Sequence, residues 1–321
     1  MIKRAGRMNM GQMSILFMGT PDFAIPSLQI LLHHGLSIVG VVTQPDRPKG
    51  RGRRLVPPPV KVIAEAHNLP VFQPGKIREE SFLQIFRELA PDLVVVVAFG
   101  QILPREMLIQ PRYGCINVHP SLLPQYRGPA PIQWSLIRGE KVTGVTIMRL
   151  DEGIDSGDIL LQETVAIDEE ETFASLHDRL AETGAKMLYQ TIGMLGDQSI
   201  RPIPQDHTKA TPAPRLNKED GLINWHMNVP EILALIRGLS PEPGAYTYID
   251  GKKLKIFAAS GTLLSPADPP GTIHIPGKGT LTVTAGNGII SLLDVQGENK
   301  NRMSIQNFLQ GYRMKKESDA G

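Results

Sequence analysis

Asn117 and His119 stand two residues apart where a short β-rich run, residues 115–118, gives way to Pro120 and a loop. In an extended chain, alternation puts both side chains on one face. The carboxyl end of a strand in an open α/β sheet borders the crevice where ligands bind. An amide and an imidazole there suit acyl transfer: one stabilises a developing oxyanion, and the other moves a proton or hydrogen-bonds the same centre. Taken singly, Asn117 reads as a loop cap and His119 as a satisfied, half-buried histidine. As a pair at one strand end they read as a site, and of the eight histidines only His119 holds such a position. A carboxylate to orient the imidazole is at hand in Leu150-Asp-Glu-Gly-Ile-Asp-Ser-Gly-Asp158, where Asp155, between Ile154 and Ser156, is the candidate.

Other chemistries lose support on spacing. The acidic segment lacks the oxygen-ligand periodicity and closing glutamate of a calcium loop, and no His or Cys pair has metal spacing, so no metal is expected. The turn Met18-Gly-Thr-Pro-Asp-Phe23 is not Gly-x-Gly-x-x-Gly, and no acid ends the second apolar run to hold a ribose. Dinucleotide binding is thereby disfavoured. Cys115 points the same way as Asn117, but no neighbour marks it as a thiolate, so it is assigned to the core. The run Arg47-Pro-Lys-Gly-Arg-Gly-Arg-Arg54 has five basic residues in eight and no acid. As a helix it would repel itself, so a mobile loop that attracts a phosphate polyanion is expected. The whole chain carries a formal net charge of only +2, so any nucleic-acid footprint must be local.

These groups need a frame, and 321 residues with 41% hydrophobic content can bury one large core and a smaller one. Residues 14–18, 37–43 and 92–98 are near-continuously apolar, as strands buried on both faces are. Between them, residues 24–34, 60–68 and 79–90 place apolar side chains at helical spacing. Strand and helix in alternation predict right-handed crossovers and a mostly parallel sheet. Further strands are expected at 115–118 and 144–150, and a long helix within 171–195.

Four prolines in a polar stretch (Pro202, Pro204, Pro212 and Pro214) mark a linker at 201–217, after a first domain at 13–200. Beyond it, runs at 245–249 and 252–259 flank Asp250-Gly251, and runs at 281–285 and 289–295 flank Asn287-Gly288. Such dipeptides suit turns with positive φ. A small β-barrel of the oligonucleotide-binding kind fits residues 218–321, and so does a sandwich. One cysteine excludes internal disulfides, and no run of about 20 apolar residues marks a membrane span. Residues 1–12 are basic and polar, without the apolar stretch of a secretory signal. They read as an extension before a start at Met8, Met10 or Met13, and the protein as cytoplasmic.

The residues resemble the methionyl-tRNA formyltransferases. The motifs that carry this are Phe17-Met-Gly-Thr-Pro-Asp-Phe23, Thr43-Gln-Pro-Asp-Arg47, Asn117-Val-His-Pro-Ser-Leu-Leu-Pro124, Arg127-Gly-Pro-Ala-Pro-Ile132, Thr143-Gly-Val-Thr-Ile147 and Asp151-Glu-Gly-Ile-Asp-Ser-Gly-Asp158. The resemblance runs from Met13 through most of the chain. It implies an α/β fold: a Rossmann-like, mostly parallel sheet domain followed by a small C-terminal β-barrel (OB-like) domain. It implies 10-formyltetrahydrofolate as co-substrate, with Ser121, Leu122, Leu123 and Pro124 lining its site, and no metal.

Asn117, His119 and Asp155 match the catalytic trio. Arg51 matches the segment that engages the acceptor end of methionyl-initiator tRNA, with further tRNA contacts from the C-terminal domain. A monomer with no membrane partner is expected. No C-terminal residue is singled out, because Ser240-Pro-Glu-Pro-Gly-Ala-Tyr246 replaces a stretch where relatives carry Trp between prolines. A formyltransferase for a small amine would share the trio but have little use for the basic run or the β domain. A nucleic-acid-binding protein with an inert α/β scaffold would tolerate loss of the trio.

Overall fold

The near-continuous apolar runs become the middle of a seven-stranded sheet in the computed structural model, which describes residues 10–49, 54–277 and 279–311. Its strands are β1 (Ile15–Gly19), β2 (Ile38–Val42), β5 (Val71–Phe72), β6 (Leu93–Val97), β7 (Cys115–His119), β8 (Val142–Arg149) and β9 (Ile159–Ala166), while β3 (Arg47–Lys49) and β4 (Arg54–Val56) form a separate two-stranded sheet. The helices along the same stretch of chain are α1 (Ile25–His33), α2 (Pro59–Ala66), α3 (Glu80–Leu89), α4 (Arg105–Ile109), α5 (Pro131–Ile137) and α6 (Phe173–Gly196).

The sheet order is β5-β2-β1-β6-β7-β8-β9. Pairing is parallel from β5 to β7, and β8 lies antiparallel to β7. Every residue of β1 and β6 is buried, which is why those runs carry no polar alternation. One face of the sheet packs on α3, whose Phe82, Leu83 and Phe86 join Leu16, Val94, Val96 and Cys115 in a single core.

The chain starts in mid-sheet, runs outward through β2 to β5, then returns to β6 on the other side of β1. That reversal opens a crevice at the carboxyl ends of β1 and β6. At its rim Thr20 Oγ1 and Gln44 Nε2 both donate to the Phe99 carbonyl at 3.2 Å, tying together the segments that leave β1, β2 and β6.

The basic run departs from expectation. Its flanks are strands, not loop: Arg47, Pro48 and Lys49 pair antiparallel with Val56, Leu55 and Arg54. Like-charge repulsion argues against a helix there, but in a strand successive side chains point to opposite faces and the argument lapses. Arg51 itself, with Gly50, Gly52 and Arg53, lies outside the described residues. The entry to β3 is pinned at Asp46, whose carboxylate accepts from Gln73 Nε2 at 2.8 Å and Lys61 Nζ at 3.0 Å. These hydrogen bonds, Gln73 first, hold the Asp46 carboxyl below the usual carboxylate range.

The chain forms two compact units: Met1–Gly128, Thr143–Val165 and His177–Pro212 make the first; Pro129–Val142, Ala166–Leu176 and Ala213–Gly321 make the second. Residues 201–212, read from composition as the start of a linker, are part of the first unit. Ile203 bridges to Ile159 and Pro212 to Arg127. Proline fixes an extended backbone without forbidding such isolated bridges, so its abundance marked extension and not freedom.

The second unit contains α5, α7 (Val229–Gly238), β10 (Ala245–Ile249), β11 (Lys252–Leu263), β12 (Ile273–Gly277), β13 (Thr280–Ala285), β14 (Gly288–Gly297), β15 (Met303–Ser304) and α8 (Ile305–Gly311). Its strands form one antiparallel sheet in the order β10-β11-β14-β13-β12, with β15 beside β14. The Asp250-Gly251 turn has positive φ at both residues, 52° and 75°, as the dipeptide predicts. Register shifts between Ile256 and Ala259 bend β11. The core gathers Leu254, Ile256, Val283 and Leu292 with Ile232 and Leu235 of α7. No helix among the described residues is long and apolar enough to cross a membrane.

Candidate active site

Strand β7 runs one residue further than its apolar pattern, so His119 is itself in the sheet, opposite Thr146 of β8. Asn117 lies two residues earlier on the same face, between Val96 of β6 and Met148 of β8. His119 is only 3% exposed. Its Nε2 lies 2.9 Å from the Tyr126 carbonyl oxygen. A carbonyl can only accept, so Nε2 carries the proton, and the lone pair of the neutral ring is on Nδ1. Nδ1 faces Asp155 Oδ2 at 3.7 Å. That separation is too long for a hydrogen bond but brings a carboxylate against any charge the ring acquires. The same Oδ2 accepts from the Gly128 N–H at 2.8 Å. Two loops distant in sequence therefore meet at one imidazole. Among the described residues the half-buried Asn117 carboxamide has no hydrogen-bond partner, which leaves its N–H groups for a ligand.

The segment after His119 is braced from within. Ser121 Oγ donates to the Gln125 carbonyl at 2.7 Å. Thr146 Oγ1 donates to the Ser121 carbonyl at 2.6 Å and accepts from Leu123 N–H at 3.2 Å. Gln162 Nε2 bridges the Leu123 carbonyl at 3.0 Å and Thr146 Oγ1 at 2.8 Å. Leu123 is buried, and the Leu123–Pro124 peptide is cis. Leu122 packs over Gly144, where an added Cβ would come within 2.5 Å of its Cδ2. Thr146 and Gln162 carry no chemistry of their own, so residue type did not mark them. Alternation offers a signal for Thr146, which shares a face of β8 with Gly144, but none for Gln162 on β9.

Cys115 is buried, and its thiol donates to the Met107 carbonyl at 3.1 Å. Burial pushes that thiol up to about 12, far from a nucleophile's range. Iodoacetamide at pH 8 should leave the native protein unlabelled and modify Cys115 only after denaturation. Stoichiometric labelling of the folded chain, seen by intact mass, would contradict this burial. No group of three or more His, Cys, Asp or Glu among the described residues is placed to hold a metal ion.

A doubly wound sheet ending in an amide–imidazole pair, followed by a small antiparallel β domain, defines a two-domain formyl transferase. A family model described as formyl transferase matches residues 13–192, and one described as formyl transferase, C-terminal domain, matches residues 215–313. The chain is 54% identical over 305 residues to the methionyl-tRNA formyltransferase of Syntrophus aciditrophicus (strain SB), covering 95% of this chain and 98% of that one. It is 50% identical over 305 residues to that of Geobacter metallireducens, with 95% and 97% covered. Among solved structures, the N-formyltransferase from Helicobacter canadensis, in complex with folinic acid and dTDP-3-aminofucose, superposes with a TM-score of 0.63 at 18% identity over 88% of this chain and 99% of that one. That likeness is one of fold. The chain belongs to the methionyl-tRNA formyltransferase family.

Proposed function

We propose that this chain transfers the formyl group of 10-formyltetrahydrofolate to the amino group of methionyl-initiator tRNA, giving the N-formylmethionyl-tRNA of translation initiation. The observation that carries the reading is the convergence of His119 and Asp155, 3.7 Å apart, beside an Asn117 amide that has no hydrogen-bond partner among the described residues. The methionyl amine attacks the formyl carbon, and a C–N bond forms as the carbonyl oxygen becomes an oxyanion. Asn117 donates to that oxyanion. With Nε2–H held by Tyr126, His119 acts through Nδ1, whose lone pair takes the proton from the attacking amine. The imidazolium so formed is balanced by Asp155 and adds positive charge beside the oxyanion. Collapse breaks the bond to N10 of the folate, and the proton passes from Nδ1 to that nitrogen. His119 thus donates to the reacting centre only after it has accepted.

Ser121, Leu122, Leu123 and Pro124 shape the folate side, and the bracing by Thr146 and Gln162 supports a preformed wall there. Arg51 engages phosphate near the tRNA acceptor end, and the C-terminal domain adds contacts. All of these residues belong to one chain, so a monomer suffices, and the cytoplasm supplies both substrates.

Purified protein given 10-formyltetrahydrofolate and charged initiator tRNA should yield N-formylmethionine after alkaline deacylation, and no formylated dTDP-amino sugar in a parallel reaction. The reverse pattern would make it a small-amine enzyme. Arg51→Ala should weaken tRNA binding and lower its salt slope by about one phosphate contact. Folate binding should persist; equal loss of both would show a folding defect instead.

A further inference from the structure

We propose that Gln205 is a positioning residue for Asp155, holding the backbone that aims its carboxylate at His119; the inference rests on the formyl-transfer reading above. Asp155 has φ of 48°, a left-handed conformation uncommon outside glycine though less costly for Asp than for most residues, and one that a constraint from its surroundings secures. Gln205, 6% exposed, supplies that constraint. Its Nε2 donates to the carbonyl of Asp155 at 3.0 Å and to that of Gly157 at 2.7 Å, clamping the turn on both sides of Ser156. Its Oε1 accepts from Arg127 Nε at 3.1 Å and Nη2 at 2.7 Å. Arg127 directly precedes Gly128, whose N–H holds Asp155 Oδ2.

The four groups close a ring. Gln205 grips the Asp155 main chain with one end and, through Arg127, steadies the donor of its carboxylate with the other. Both N–H bonds and both acceptor positions of the amide are used, and only asparagine, on a stem one carbon shorter, shares that set of two donors and two acceptors in one plane. The carbonyls it satisfies cannot satisfy each other, so without Gln205 the turn must open towards water or another donor, and Asp155 turns with it.

Two substitutions in the full chain test this. Gln205→Met keeps volume and removes all four hydrogen bonds; Gln205→Glu keeps the acceptor for Arg127 and loses the donors to the turn. In formyl transfer to charged initiator tRNA, each should lower kcat about 10- to 100-fold while KM for folate and for tRNA stays near wild type. In an Asp155→Asn background neither should slow the reaction further, because what Gln205 positions is already gone. A merely structural role would give losses that multiply, and that result overturns the proposal. So does wild-type kcat in either variant, or failure of both to fold by thermal unfolding; if only one folds, it decides. Impaired Asp155→Asn beside unaffected Gln205 variants retires this inference alone, whereas wild-type activity of Asp155→Asn retires the assigned role of Asp155 with it.

Discussion

His119→Gln is expected to fold, bind both substrates and form N-formylmethionine about 10²–10⁴ times more slowly, the usual worth of a positioned general base. Glutamine is the informative choice. The buried ring donates from Nε2 to the Tyr126 carbonyl at 2.9 Å, and an amide N–H can take over that bond. What glutamine lacks is a basic nitrogen where Nδ1 faces Asp155. His119→Ala removes both, and the unsatisfied carbonyl costs about 1–3 kcal/mol of stability besides. The companion change Asn117→Ala should cost about 10²–10³ in kcat, as for other oxyanion donors, with little effect on stability because the carboxamide has no partner to lose among the described residues. Single-turnover rates at saturating substrate, set beside thermal unfolding, separate these effects. Near-normal rates in the folded Gln and Ala variants would remove the proposed chemistry and leave an α/β scaffold.

Gly157→Ala should be nearly as damaging from a position that touches no substrate. An added Cβ would lie 2.0 Å from the Arg149 carbonyl oxygen and 3.0 Å from its carbon. Arg149 ends β8, paired with Ile116 of β7, so it cannot retreat without disturbing the strand that carries Asn117 and His119. The turn must move instead, and Asp155 goes with it. Overpacking of this kind costs about 1–3 kcal/mol, and a displacement of about 1 Å at a reacting group costs on the order of 10² in rate. Gly153→Ala is the control. There the new Cβ meets Ser156 Oγ at 2.1 Å, a hydroxyl that can rotate away. If the two variants show the same melting temperature and kcat, the turn is softer than its hydrogen bonds imply.

Some of this molecule is legible residue by residue. Burial on both faces forces continuous apolar runs, so β1, β2 and β6 stand within a residue or two of their pattern, and the helices between them follow from spacing. The shared face of Asn117 and His119 follows from alternation alone, and the positive φ at Asp250-Gly251 from turn chemistry. The start of α7 is legible too, in the capping box that Asn228 and Glu231 form. Strand β4 is exposed along its length, so no burial-driven alternation announces its pairing with β3.

By itself, then, the sequence determined the alternating strand–helix frame, the strand-end pair and the β-rich C-terminal part, each governed by neighbours along the chain. Tertiary structure alone decided that Asp155 reaches His119, that a backbone carbonyl at Tyr126 selects the ring's protonated nitrogen, and that Gln205 in a proline-rich stretch grips the Asp155 turn. Those contacts join segments far apart in the chain and run largely through main-chain groups, which every residue carries alike. Residue type made Asp155 a candidate, but periodicity and residue type hold no record of where it lands or of what holds it there.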